Sequence, residues 1–207
     1  KDIVSGDFYW AHNFGDKKLI ALGDCTGHGV PGAILSIMSI NILTQIIEEG
    51  FSMPKDIIEE MDRRLIRRLR QHDPSVRNGM DIAICLVEGE KITFSSTHIS
   101  MYRISKRELF KYRGSSVFLG DGDTTRLESM SVQCDKGDLI YIFSDGYADQ
   151  KGGEENRKFY SKRVQEMVLK NHKLPLQDQH VLLERTFQNW KGSNDQVDDV
   201  TILGFQI

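Results

Sequence analysis

The sequence predicts an α+β fold in which two antiparallel sheets lie face to face and pairs of helices cover their outer faces. Apolar stretches with a period of two are joined by short turns rather than by crossover helices, which favours antiparallel pairing. Two pairs of segments carry apolar residues at helical spacing, so each pair has a face to bury. With 207 residues and no internal repeat, the chain suits one domain, residues 1–207.

The predicted elements follow the order β-β-α-α, then a run of strands, then α-α-β. The first two strands are expected at residues 4–14 and 17–23, joined by a glycine-aspartate turn. A helix follows Pro31, which suits a first helical turn, and ends near Gly50. A second helix begins near Pro54.

The second helix is expected to have two different faces. One face is apolar, and the other carries the arginines Arg63, Arg64, Arg67, Arg68 and Arg70. Such a basic face is either an ordinary solvated helix side or a docking surface for an acidic phosphoprotein.

From Met80 to about Asp145 the pattern changes to strands separated by short turn signals. Two helices are then expected at residues 160–171 and 176–190, followed by a last strand at residues 200–207. This order places the helix pairs on either side of the strand-rich middle.

Composition excludes several classes of function. The net charge of −3 provides no electrostatic footprint for nucleic acid. The three cysteines, Cys25, Cys85 and Cys134, are far apart and form no CxxC pair, which argues against structural zinc and fits a reducing, cytoplasmic compartment. No apolar run approaches the roughly 20 residues that span a bilayer, and no signal peptide is visible. The abrupt, strand-like start suggests a domain excised from a longer protein with a sensor or anchor upstream.

Several aspartates share one context, the end of an apolar strand beside a glycine or a second acid. They are Asp7, Asp24, Asp145, Asp198 and Asp199. Each is explained equally well as an ordinary turn residue. If they meet, two carboxylates about 4 Å apart repel by roughly 4 kcal/mol at an effective dielectric near 20, so the group needs shared protons or divalent cations. Oxygen ligands favour Mg²⁺ or Mn²⁺, and two such ions can activate water for phosphate ester hydrolysis.

The loop "ALGDCTGHGVPGA" at residues 21–33 admits several interpretations. It lacks the lysine and the glycine spacing of a Walker-type phosphate loop. A nucleophilic Cys25 would need a base and an electropositive setting, and only His28 is near in sequence. His28 is either a metal ligand or proton donor, or a structural residue of the strand-to-helix turn.

Five motifs occur in a fixed order: "VSGDFYW", "ALGDCTGHGVPGA", "GMDIAIC", "YIFSDGYAD" and "DDVTIL". Together they resemble the metal-dependent protein phosphatases of the type 2C class (PPM), in the bacterial SpoIIE-like branch. The resemblance runs from about Val4 to Ile207. It implies an α-β-β-α four-layer sandwich with two Mn²⁺ or Mg²⁺ ions at one end of the sheets.

The resemblance also implies roles for single residues. Asp24 would bridge both metals and the activated water, with the backbone carbonyl of Cys25, Asp145 and Asp198 as further ligands. Asp7 would contact the metals directly or through water, and Asp199 would orient the ligands or replace one of them. Asp81 and His98 fall in the region of a third metal, although "STH" stands where the bacterial branch usually has "AGH". The general-acid role of the eukaryotic histidine does not transfer to His28, because the spacing from Asp24 differs.

The implied activity is hydrolysis of phosphoserine or phosphothreonine on a small regulator of the anti-anti-sigma (STAS) type by metal-activated water. The first two helices would act as an activity switch under upstream sensor domains or partners, often in a homodimer. Two other hypotheses are a non-catalytic phosphatase-like binding module and a metal-dependent hydrolase of another phosphate ester.

Overall fold

The computed structural model describes residues 3–69 and 78–207, and it confirms the expected pair of antiparallel sheets. The first sheet has the strand order β1-β2-β3-β4-β7. Its strands are β1 (Asp7–Phe14), β2 (Lys17–Cys25), β3 (Met80–Glu88), β4 (Lys91–Ser96) and β7 (Ser129–Gln133). The second sheet has the order β11-β8-β5-β6. Its strands are β5 (Met101–Ser105), β6 (Glu108–Tyr112), β8 (Leu139–Phe143) and β11 (Ile202–Gln206).

The helices also follow the expected order. They are α1 (Gly29–Glu48), α2 (Pro54–Leu69), α3 (Gly146–Asp149), α4 (Ser161–Asn171) and α5 (Leu176–Lys191). The one-turn helix α3 and the small ribbon of β9 (Lys151–Gly152) and β10 (Arg157–Lys158) were not predicted. Both are too short to leave a periodic signal in the sequence.

Three separate apolar clusters define the four layers. One cluster joins α1 and α2 to the outer face of the first sheet, for example through Ile46, Ile57 and Ile84. A second fills the space between the sheets, and a third joins the second sheet to α4 and α5 through Val168 and Leu183. The layers are therefore helices, sheet, sheet and helices.

The strand β8 shows how one sequence serves two interfaces. Leu139, Tyr141 and Phe143 pack towards α4 and α5, whereas Ile140 and Ile142 pack between the sheets. Side chains alternate between the two faces of a strand, so a strand buried on both faces is an unbroken apolar run. Packing on both faces fixes the position of β8, and with it the position of Asp145, which follows the strand.

Helices α1 and α2 are joined by charged side chains. Arg64 donates through Nε to Glu60 at 2.5 Å and through Nη1 to Glu49, just after α1, at 2.9 Å. Arg68 donates to Gln45 of α1 at 2.9 Å. Part of the predicted arginine face therefore binds within the domain; Arg70 lies outside the described residues.

Helix α1 is long and apolar enough to cross a membrane by length and composition alone, with a mean hydropathy of 1.7. The sequence pattern predicted no membrane span, because serine, asparagine, threonine and glutamine interrupt the aliphatic residues of this segment. Of its most apolar 18-residue window, 44% is buried inside the protein. Buried core helices of soluble proteins have the same composition, and α1 packs on β2 and α2.

Candidate metal centre

Three aspartates of the first sheet stand in a row at one end. Asp24 lies directly opposite Asp7 of β1 and, on its other side, opposite Asp81 of β3. Directly opposite residues of antiparallel strands project from the same face, with Cβ atoms about 4.5–5.5 Å apart. Leu22, two residues before Asp24 and on the same face, belongs to the cluster between the sheets. The three carboxylates therefore point into one end of the space between the sheets.

The second sheet fastens Asp7 and adds another acid. Asp145 follows β8 and precedes the first residue of α3. The Ser144 hydroxyl donates to Oδ2 of Asp7 at 2.6 Å, and its oxygen accepts the backbone N–H of Thr201 at 3.1 Å. This bridge connects β1, the end of β8 and the segment before β11, so the two sheets hold Asp7 jointly.

The two acids of the last motif have different surroundings. Asp199 is buried, and its Oδ2 accepts the backbone N–H of Gly6 at 2.7 Å, which braces the residue before Asp7. Asp198 accepts a hydrogen bond from the backbone N–H of Asp199 at 2.8 Å. Its charge is one of those that raise the pKa of Asp24. The arrangement separates a bracing acid from one that faces the cluster.

The acids perturb one another strongly. The pKa of Asp24 is raised to about 8, first by burial and then by the charges of four other aspartates, Asp7, Asp145, Asp198 and Asp81. Burial also raises the pKa of Asp7, although the hydrogen bonds from Ser144 and Thr201 oppose the shift. Carboxylates held this close need protons or cations.

Asp145 is perturbed although its side chain is exposed to solvent. Partial desolvation by the surrounding protein, followed by the charges of Asp149 and Asp198, raises its pKa to about 6. Solvent therefore reaches one side of the cluster, whereas Asp24 lies deeper.

Asp81 and His98 are brought together, as the sequence suggested. The Nδ1 atom of His98 lies 2.9 Å from Oδ1 of Asp81, and the Thr97 hydroxyl donates to the same oxygen at 2.8 Å. Both side chains line a cavity of about 220 Å³ that Asp24 and Asp145 also line. The pair thus adjoins the main cluster.

The remaining loop residues take different places. The side chain of Cys25 is buried on the helix side of the sheet, and burial raises its pKa to about 12, so the thiol is not a nucleophile at neutral pH. Cys25, Cys85 and Cys134 are all free and buried. His28 directly precedes α1, where its exposed side chain makes no capping hydrogen bond and does not line the cavity.

The acids form a charged cluster rather than a closed ligand cage. Across the described stretches, 3–69 and 78–207, no three Asp, Glu, His or Cys side chains are arranged to hold a metal ion as they stand. The donor chemistry nevertheless fits a hard divalent cation, because the clustered groups are carboxylates and their mutual repulsion is relieved by positive charge.

Sequence reasoning missed several polar residues of the site. Ser144 and Thr201 position Asp7, and Thr97 positions Asp81. Tyr102 and Lys111 line the cavity from the second sheet. Ser144, Thr97 and Thr201 had a local signal, since they lie within or beside the quoted motifs. Tyr102 and Lys111 had none, because they come from the pairing of strands in the second sheet.

Comparison with known proteins agrees with this fold. The family profile described as Stage II sporulation protein E (SpoIIE) matches residues 15–207. The SiaA-PP2C domain of Pseudomonas aeruginosa is 31% identical, with a TM-score of 0.90, over 100% of this chain and 82% of that chain.

Two curated relatives come from Bacillus subtilis (strain 168). "Stage II sporulation protein E" is 25% identical over 99% of this chain and 24% of its own length. "Phosphoserine phosphatase RsbU" is 24% identical over 70% of this chain and 43% of its own length. The chain therefore spans less than half the length of either relative.

The two facing antiparallel sheets with helices on their outer faces are those of a PP2C-type domain. Within that class, the chain belongs to the SpoIIE family.

Replacement of Asp24 by asparagine should stabilise the metal-free protein in alkaline solution. The raised pKa means that folded Asp24 holds its proton more tightly than unfolded Asp24, so stability is lost as pH rises towards about 8. We expect Asp24→Asn to raise the free energy of unfolding by about 1–2 kcal/mol at pH 8.5 and by much less at pH 4.5. Urea unfolding with chelator measures both values.

The matched control is Asp178→Asn, an exposed aspartate of α5. It should show no comparable gain at alkaline pH. An equal gain in both variants, or none for Asp24→Asn, would contradict the clustering of charge around Asp24.

Proposed function

We propose that this chain is a metal-dependent phosphoprotein phosphatase domain that hydrolyses phosphoserine or phosphothreonine on a bacterial regulatory protein of the anti-anti-sigma (STAS) type. One observation carries the proposal: aspartates from separate parts of the chain gather at one end of the space between the sheets and raise the pKa of Asp24 to about 8. The SiaA-PP2C and RsbU relatives, the latter named a phosphoserine phosphatase, support the same activity.

The proposed cofactors are two Mn²⁺ or Mg²⁺ ions. Asp24 would bridge them, with Asp7, Asp145, Asp198 and the Cys25 carbonyl as further ligands. When bound, such ions lower the pKa of water and stabilise the leaving oxygen of a phosphate ester. Asp81 with His98 is proposed as the region of a third ion, since the pair lines the same cavity.

The protein's own groups would position this chemistry. Ser144 fixes the orientation of Asp7 through its hydrogen bond, and Asp199 braces Gly6 just before it. Such bracing matters, because misplacing a reacting group by about 1 Å can cost a hundredfold in rate. His28 is proposed only as a supporting residue of the turn before α1.

The proposed setting is a cytoplasmic signalling protein longer than this chain, in which residues 1–207 form the phosphatase domain. The greater length of both Bacillus relatives supports an additional sensor or regulatory part. Helix α1 begins four residues after Cys25, so a shift of α1 and α2 would move the bridging ligand. We therefore propose this helix pair as the activity switch.

A homodimer through α1 is the proposed regulatory assembly. Val30, Ile34 and Ile37 lie on one side of α1 with 65%, 63% and 61% of their surface exposed. Ile34 also lines a groove of about 260 Å³ between α1 and Leu69 of α2. An exposed aliphatic stripe beside a groove is typical of a protein interface.

Asp24→Asn should abolish metal-dependent turnover. With Mn²⁺ and an aryl phosphate, we expect the rate to fall about a hundredfold or more, because the bridging carboxylate loses its charge. Chelator should remove the wild-type activity, and Asp178→Asn should retain it. Measurement of kcat/KM on aryl phosphate, a phosphoserine peptide and a nucleotide checks this.

Each alternative hypothesis has its own outcome. Chelator-resistant turnover, or an active Asp24→Asn protein, would contradict the metal mechanism. Binding of a phosphoprotein without any turnover would indicate a non-catalytic module. Preference for the nucleotide over the phosphopeptide would indicate a hydrolase of another phosphate ester.

Ile34→Asp should weaken the proposed dimer at least tenfold, because it buries a charge in the interface. The control Val181→Asp changes an aliphatic residue of α5 that is 55% exposed and should leave the assembly unchanged. Sedimentation over a range of concentrations gives the dissociation constants. A wild-type protein that stays monomeric at high concentration, or an effect of Val181→Asp alone, would contradict the α1 interface.

A further inference from the structure

The cavity beside the acid cluster is lined by residues of both sheets. Asp24, Asp81 and His98 belong to the first sheet and the loop that follows β4. From the second sheet, the cavity is lined by Tyr102 of β5 and Lys111 of β6, which lie on the face of that sheet that packs on α4 and α5. The cavity therefore extends from the acids, past the end of the second sheet, to a lysine.

Lys111 is held in place by aromatic packing. It lies directly opposite Tyr102 in the antiparallel β5–β6 pair, and its Nζ is 5.6 Å from the centroid of the Tyr102 ring. That distance permits a cation–π attraction. The Tyr102 ring stacks on Phe143 with centroids 4.8 Å apart. Phe143 is the last residue of β8 and lies two residues before Asp145. The position of Lys111 is thus linked to that of the acid cluster.

The charge of Lys111 is not neutralised by a neighbouring acid. No ion pair of Lys111 occurs within the described part of the chain. Lys158, by contrast, donates to Asp149 at 2.7 Å. Lys111 is the one lysine or arginine among the described residues that line this cavity.

We propose that Lys111 binds the phosphoryl group of the substrate. This inference rests on the proposed phosphatase function and assigns a residue that the acid motifs do not contain. A phosphate monoester carries close to two negative charges and would enter a cavity lined by carboxylates. An ammonium group in the lining of the same cavity offers a compact positive charge with three donors for phosphoryl oxygens.

The phosphoryl assignment differs from a protein-docking role in a measurable way. A group that contacts the phosphoryl oxygens acts on every phosphate monoester, including an aryl phosphate and inorganic phosphate. A group that contacts the rest of a protein substrate acts on the phosphoprotein alone. The probes below separate the two.

Lys111→Met removes the charge and keeps most of the aliphatic stem over Tyr102. With Mn²⁺ present, we expect KM for an aryl phosphate and for a phosphoserine peptide to rise about tenfold, more than kcat falls. The inhibition constant of inorganic phosphate should rise by a similar factor. Lys111→Arg should retain most of the affinity, because arginine keeps a positively charged hydrogen-bond donor at this position.

The matched control is Lys136→Met. Lys136 is exposed and lies in the turn before the first residue of β8, whereas Asp145 follows the last residue of that strand. It should match wild type in KM and in phosphate inhibition. Equal behaviour of Lys111→Met and Lys136→Met, or an effect of Lys111→Met on the peptide alone, would overturn the phosphoryl assignment.

A binding measurement separates this inference from the proposed function. Binding of inorganic phosphate to the Mn²⁺-loaded protein is measured by the broadening of the phosphorus NMR resonance. A wild-type protein without turnover contradicts the phosphatase proposal. Weaker phosphate binding in Lys111→Met would then still support Lys111. Turnover in wild type with unchanged phosphate binding in Lys111→Met contradicts the lysine assignment alone.

Discussion

The mutual repulsion of aspartates at one end of the space between the sheets is the constraint on which the site depends. Burial and four neighbouring acids together raise the pKa of Asp24 to about 8. An arrangement that costs stability in this way is typical of functional sites, where local strain serves binding or catalysis. The rest of the fold holds these acids close against that repulsion.

Strand pairing and a few hydrogen bonds supply this restraint. The register of β1, β2 and β3 sets Asp7, Asp24 and Asp81 in one row. The Ser144 hydroxyl joins Asp7 to the second sheet, and three apolar clusters hold the layers that carry these strands. Because the acids lie at strand ends, a small movement of a layer would change their spacing.

Much of the fold was predictable from the sequence, because strand and helix periods differ and each layer buries a distinct apolar face. The clustering of Asp7, Asp24 and Asp145 followed from the family resemblance. Without the resemblance, each of these acids was explained equally well as an ordinary turn residue. The roles of Ser144 and Lys111 were not predictable. They depend on contacts between segments far apart in the chain, which a local pattern does not record.

The most direct test of the acid cluster as a cation site is calorimetric titration of Mn²⁺ into metal-free protein at pH 7. Use of two buffers with different ionisation enthalpies gives the number of protons released. Because Asp24 has a pKa of about 8, we expect saturable binding that releases about one proton per chain. Absence of Mn²⁺ binding, or binding without proton release, would contradict the account.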